Sequence, residues 1–214
     1  MAIYLDSAKL DEAHKVKEFG WVFGVTTNPS LLAKAGNAPE AVLKQLTGLG
    51  FKQVYYQLTA QSLDVMLDEA KSVRKIVGDI LVLKIVPTEL GFRFVALHGK
   101  EFPCCVTAVF SPAQALVARE AGARYVALYV NRATQQMGDG LALVNSVRAT
   151  LGEGQTEILA ASLKSAEEAV AALNAGAQHI TVPFNVLASL TSHPISIRTI
   201  EQFNSEGIGI SLKV

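Results

Sequence analysis

Short apolar runs of strand type recur along the whole chain: AIYLD at 2–6, WVFGVTT at 21–27, FKQVYYQL at 51–58, ILVLKIV at 80–86, PCCVTAVF at 103–110, RYVALYV at 124–130, EILAAS at 157–162 and HITVPF at 179–184. Between them lie stretches of helical period. LDEAHKVKEF brings Leu10, Ala13, Val16 or Lys17, and Phe19 to one side, and SLDVMLDEAKSVRKIV sets Leu63, Met66, Leu67, Ala70, Val73 and Val77 on one stripe. Strands alternating with helices predict parallel pairing through right-handed crossovers, and eight such units in 214 residues fit a compact α/β fold, the (β/α)8 TIM barrel. An open doubly wound sheet is the alternative, but it would often carry a glycine-rich first turn that this chain lacks. No linker, low-complexity tract or charge block divides the sequence, so residues 1–214 read as a single domain. After the last strand a helix is predicted from Pro194 to Ser205. The tail GIGISLKV that follows either packs on a neighbouring subunit or frays.

One position breaks the apolar pattern. Ile80, Leu81, Val82, Leu83, Ile85 and Val86 read as a strand buried on both faces, yet Lys84 sits near its C-terminal end. An amine there loses hydration, which favours its neutral, nucleophilic form. The other reading is a lysine that snorkels from the strand mouth to water. A barrel keeps its chemistry at the C-terminal ends of many strands, and there the sequence is rich in polar groups. Asp6 ends the first run, Thr26, Thr27 and Asn28 the second, and Ser162 the seventh; Gln57 and Thr107 lie in the third and fifth; Tyr129, Asn131 and Arg132 end the sixth. Each has a purely structural alternative. Asp6 or Ser7 suits a helix cap, as does Asn28 before Pro29; Gln57 and Thr107 suit satisfied core positions, Tyr129 a core aromatic, and Arg132 a solvated charge. A convergent site accounts for all of them with one cause.

The chemistry follows from the parts. A desolvated lysine attacks a carbonyl to give a Schiff base, and the protonated imine draws electrons from a neighbouring carbon–carbon bond, which is class I aldol chemistry. Asp6 can move a substrate hydroxyl proton, and Gln57, Thr107 and Tyr129 can hold a water that relays protons to and from the enamine. Arg132 and Ser162, with the backbone amides that open the helix after Ser162, form a phosphate site; Lys164 either adds charge there or faces solvent.

Composition narrows the field. Half of the residues are apolar and 18% are charged, which excludes a mostly disordered chain. Nineteen basic and nineteen acidic residues cancel, so no general field points to nucleic acid or an acidic membrane surface. MAIYLD has neither a basic n-region nor an apolar h-region, and no apolar run approaches the roughly eighteen residues of a membrane span, so a cytoplasmic protein is expected. Adjacent Cys104 and Cys105 would face opposite sides of a strand, as small core residues rather than a disulfide framework. His14, His98, His179 and His193 fall at no metal-ligand spacing, and no complete nucleotide-binding glycine motif occurs, so neither metal nor cofactor is expected.

With these residues in place, the chain resembles the small transaldolases and fructose-6-phosphate aldolases over nearly its whole length. GVTTNPS at 24–30 is the most specific stretch, joined by LKIVPT around Lys84, VTAVFSPAQALVAREAGARYVALYVNR at 106–132 and ILAASLKS at 158–165. The resemblance implies Lys84 as the Schiff-base lysine, Asp6 as an acid–base and hydroxyl-binding residue, Asn28 as a substrate ligand, and Arg132 and Ser162 as phosphate ligands; Thr26, Asn131 and Lys164 join the substrate-binding set. It also implies sugar phosphates and dihydroxyacetone as substrates. Transaldolases of this family typically carry glutamate on the third strand and phenylalanine after the sixth, whereas the aldolase branch has glutamine and tyrosine, as here with Gln57 and Tyr129. The resemblance therefore favours reversible cleavage of fructose 6-phosphate, with transaldol transfer as the alternative and a catalytically silent sugar-phosphate barrel as a third reading. Members of the aldolase branch form decamers of two pentameric rings in which the C-terminal helix reaches a neighbour, so a homo-oligomer is expected. Two features depart from the family pattern: Pro87 lies three residues after Lys84 rather than two, and the loop after Arg132 is polar rather than acidic.

Overall fold

In the computed structural model, which describes residues 1–210, eight parallel strands close on themselves in sequence order. The predicted tail thus lies partly outside the described residues. The elements are β1 (Ala2–Asp6), α1 (Leu10–Glu18), β2 (Gly24–Thr26), α2 (Pro29–Lys34), α3 (Pro39–Gly48), β3 (Gln53–Gln57), α4 (Leu63–Val77), β4 (Leu81–Ile85), α5 (Glu89–His98), β5 (Cys104–Val109), α6 (Pro112–Glu120), β6 (Tyr125–Tyr129), α7 (Val130–Met137), α8 (Gly140–Leu151), β7 (Glu157–Ala161), α9 (Ala166–Asn174), β8 (His179–Val182), α10 (Phe184–Ser189) and α11 (Pro194–Glu206). Pairing of β1 with β8 seals the ring, giving a (β/α)8 barrel with additional helices after β2, β6 and β8.

Two departures from the sequence pattern have local causes. The run WVFGVTT yields strand only at Gly24–Thr26, because Trp21 and Phe23 stay partly exposed and Trp21 stacks on Phe19 at 5.5 Å. The sixth run stops at Tyr129, so Asn131 and Arg132 belong to the first turn of α7 rather than to a strand end.

The period of two along each strand builds the site. Tyr4, Tyr55, Val82, Cys105, Tyr125, Ala127 and Leu159 pack together in the barrel interior, while Leu5, Val54, Leu81, Leu83, Cys104, Val106, Val126 and Ile158 belong to the core shared with the helices. Cys104 and Cys105 are therefore both buried and free, on opposite faces, and burial pushes each thiol up to about 12. Two residues beyond an interior core position stand Asp6, Gln57, Lys84, Thr107 and Tyr129, all on one level at the C-terminal mouth. The floor below is tight: a Cβ on Gly24 would lie 2.3 Å from the Gln53 carbonyl oxygen, so only glycine fits beside Tyr4. The Gln53 amide ties this floor together, accepting from Tyr4 Oη at 2.7 Å and Tyr55 Oη at 3.2 Å and donating to Tyr125 Oη at 3.2 Å. Burial pushes the Tyr4 and Tyr55 phenols up, so both remain neutral donors.

Candidate active site

A cavity of about 420 Å3 opens at the C-terminal mouth. Nine of the eleven residues singled out from the sequence line it: Asp6, Asn28, Gln57, Lys84, Thr107, Tyr129, Arg132, Ser162 and Lys164. Thr26 and Asn131 do not, and each has a different place.

Lys84 is 4% exposed, and its Nζ donates to the main-chain carbonyl of Thr27 at 3.0 Å. It does not snorkel. Among the described residues no carboxylate lies within ion-pair distance of it. A carbonyl accepts from an ammonium and, more weakly, from a neutral amine, so this contact can hold Nζ in place in either form. Thr27 is itself fixed to β3, its Oγ1 donating to the Tyr55 carbonyl at 2.7 Å.

Asp6 does not cap the first helix, whose N-terminus has no side-chain cap. Its Oδ1 accepts from Thr26 Oγ1 at 2.8 Å, and Thr26 Oγ1 lies 2.6 Å from Thr181 Oγ1. Thr26 has one hydroxyl proton; spent on Asp6, it leaves Thr181 as donor in the second contact. Thr26 is thus buried behind Asp6, donating to its carboxylate, and does not line the cavity. Thr181 was missed in the sequence, although it stands two residues beyond His179 on β8 and lines the cavity.

Thr107 and Tyr129 face each other, with 3.3 Å between their hydroxyls. The Tyr129 ring meets Phe110 edge-on at 5.9 Å, and the Arg132 guanidinium lies over it at 5.0 Å. The β5–β6 register shifts between Val106 and Val109, and Ala108 takes a φ of 56°. This bulge turns both Thr107 and Ala108 into the cavity, which strict alternation forbids. Ser162, at φ 60°, is the other non-glycine residue with left-handed backbone among the described residues, so both of these line the site.

Asn28 plays the capping role and lines the cavity as well. Its Oδ1 accepts from Leu31 N at 2.9 Å, leaving its amide NH2 as the group that can donate to a ligand. Asn131 turns away from the cavity, donating to Glu168 Oε1 at 3.1 Å, because the early start of α7 rotates it toward α9. Two backbone amides in the segment after Ser162 are engaged by side chains of the chain itself. Ser165 caps α9 by accepting from Glu168 N at 3.1 Å, and Lys164 N donates to Glu168 Oε2 at 2.6 Å, so these amides are already committed. Besides Lys84, the basic side chains facing the cavity among the described residues are Arg132 and Lys164, with the Ser162 hydroxyl between them in sequence.

The family model described as Transaldolase/Fructose-6-phosphate aldolase matches residues 3–208. A probable transaldolase of Hydrogenobaculum sp. (strain Y04AAS1) is 35% identical over 206 residues, covering 95% of this chain and 94% of that protein. One from Geotalea uraniireducens (strain Rf4) is 34% identical, covering 95% of this chain and 96% of that protein. Among solved structures, a mandelate oxidase superposes with a TM-score of 0.63 at 14% identity, covering 94% of this chain and 70% of that one, a likeness of fold alone. With residues 3–208 matched by the family model, the chain belongs to the transaldolase/fructose-6-phosphate aldolase family.

Proposed function

We propose that this protein is a Schiff-base aldolase that reversibly cleaves fructose 6-phosphate into dihydroxyacetone and glyceraldehyde 3-phosphate. Lys84 Nζ adds to the C2 carbonyl, and loss of water gives the protonated imine. Asp6 takes the proton of the C4 hydroxyl, the C3–C4 bond breaks, and its electron pair flows into the imine, releasing glyceraldehyde 3-phosphate and leaving the enamine on Lys84. A water held among Gln57, Thr107 and Tyr129 protonates C3 and takes back the proton that Asp6 removed, and addition of one water to the resulting imine at C2 frees dihydroxyacetone and the amine. Arg132, Ser162 and Lys164 hold the phosphate, and Asn28 donates to a sugar hydroxyl.

The observation that carries this reading is the Thr107–Tyr129 pair, 3.3 Å apart across the cavity that Gln57 and Lys84 also line. A phenol there can donate to a water; a phenylalanine could not. The second reading, transaldolase, is favoured by the names of the relatives, several of them called probable transaldolase. A product assay on fructose 6-phosphate with and without erythrose 4-phosphate separates the two. Free dihydroxyacetone formed in both cases supports the aldolase, whereas sedoheptulose 7-phosphate as the dominant product with acceptor present supports the transferase. We further propose a cytoplasmic homo-oligomer, supported by α11, none of whose residues is buried.

A further inference from the structure

Behind the ring of site residues, one carboxylate organises the loop that leaves β3. Glu69, on α4, accepts from Tyr56 Oη at 2.8 Å, from Thr59 Oγ1 at 3.1 Å, from Thr59 N at 3.1 and 3.2 Å, and from Ala60 N at 3.0 Å. These partners lie on both sides of Gln57. Strand alternation makes the reach possible: Gln57 points into the cavity, so Tyr56 points outward onto α4. On the other flank Gln57 stands opposite Lys84 in the β3–β4 ladder, and Leu58 N donates to the Lys84 carbonyl at 3.1 Å. The end of β3 is thus held between the backbone of the lysine and a single side chain of α4.

Packing fixes this loop only in part: Leu58 is buried in the core and Ala60 packs against it. A cleft of about 280 Å3 opens between it and the turn after β4, lined by Gln57, Ala60, Gln61, Met66, Val86 and Leu90 among others. The loop amides of Thr59 and Ala60 find their acceptor in an ionisable carboxylate, the stronger class of hydrogen bond. Small displacements of a group that orients a reacting water are costly to rate.

We propose that Glu69 is a positioning residue for Gln57: by pinning Tyr56, Thr59 and Ala60 it sets where the Gln57 amide stands relative to Lys84, and so governs how much enamine is protonated and released rather than passed to a second aldehyde. It makes and breaks no bond itself. The proposal rests on the reading of Gln57 given above.

The test is the ratio of free dihydroxyacetone to transfer product from fructose 6-phosphate with erythrose 4-phosphate present, measured on the full chain. Glu69→Ala should lower that ratio and kcat for release about tenfold, while KM and borohydride trapping of the Lys84 adduct stay within about twofold. Glu69→Gln should fall between, since it keeps one carbonyl acceptor but turns an NH2 toward the loop amides. In a Gln57→Ala background, Glu69→Ala should add less than about twofold, because both act through one group. An unchanged ratio in Glu69→Ala, trapping that falls in parallel with the ratio, or full additivity with Gln57→Ala would overturn the proposal. Gln57→Ala is the separating arm: no change there overturns the reading of Gln57 and this proposal with it, whereas a change there and none in Glu69→Ala overturns the proposal alone. If Glu69→Ala does not fold, Tyr56→Phe removes one of the tethers and should shift the ratio the same way by a smaller factor; no shift in that variant counts against the role.

Discussion

Thr26 Oγ1 and Thr181 Oγ1 stand 2.6 Å apart on the inner face of the barrel, and the Thr26 hydroxyl donates a hydrogen bond to Asp6 at 2.8 Å. The two threonines are unequal partners in this hydrogen-bond chain. Thr26→Val strips Asp6 of its donor and should lower kcat by about tenfold or more. Thr181→Val leaves Thr26 free to donate to Asp6 and should cost less. Steady-state rates on both variants, with trapping at Lys84 retained, check the order; equal losses would contradict the donor chain.

Lys84→Met should abolish borohydride-dependent labelling by dihydroxyacetone and fructose 6-phosphate. It should not unfold the protein. Lys84 is buried with a single intraprotein hydrogen bond among the described residues, so an apolar side chain of similar length removes a costly buried polar group and leaves the Thr27 carbonyl as the only orphan. Mass spectrometry of the reduced adduct together with a melting curve distinguishes loss of chemistry from loss of fold.

The paired substitution Gln57→Glu and Tyr129→Phe tests the fate of the enamine. Phenylalanine keeps the edge-on contact with Phe110 and the face under Arg132 but deletes the hydroxyl 3.3 Å from Thr107. The ratio of transfer to release should rise by about tenfold. A ratio unmoved by both changes would place the control of water elsewhere.

Much of this site is legible in the sequence, and the reason is the period of two. Once the runs are aligned as inward and outward positions, Asp6, Gln57, Lys84, Thr107 and Tyr129 fall on inward positions at one mouth. Thr181 obeys the same rule and could have been found by it. What the period cannot carry is any interruption of it. The β5 bulge places Ala108 in the cavity beside Thr107, and the early start of α7 sends Asn131 to Glu168. Both depend on backbone geometry that side-chain pattern does not encode. The clamp of Glu69 on the loop after β3 was equally invisible, since α4 reads as an ordinary amphipathic helix with Glu69 outside its apolar stripe.

The C-terminal helix presents Ile197, Ile200 and Phe203, three residues apart, together with Ile195, all exposed. A stripe of this kind on a helix with no buried residue calls for a cover, and in the proposed homo-oligomer a second copy supplies it. Ile200→Lys with Phe203→Lys should convert the assembly to smaller species in sedimentation velocity while the chain stays folded. A wild-type monomer at micromolar concentration would remove the proposal.

The barrel floor sets the pH dependence of stability. His179 is buried between Tyr4 and Tyr125; its Nε2 lies 3.2 Å from Glu157 Oε2 but off the direction of a proper hydrogen bond, and neither ring nitrogen has a hydrogen-bond partner among the described residues. Burial lowers its pKa from the ordinary 6.5, and the nearby Glu157 only partly offsets this. The unfolded chain therefore binds a proton at a pH where the folded chain does not, so stability rises with pH through that window. The contribution of His179 is complete above 6.5 and is lost as pH falls below 6.5 toward the folded value. Urea unfolding of the wild type at about pH 7.5 and about pH 5 should show a decrease in stability on acidification that His179→Phe reduces, since phenylalanine keeps the edge contacts with both tyrosines and cannot take up a proton. An identical decrease in the variant would assign the acid sensitivity to other groups.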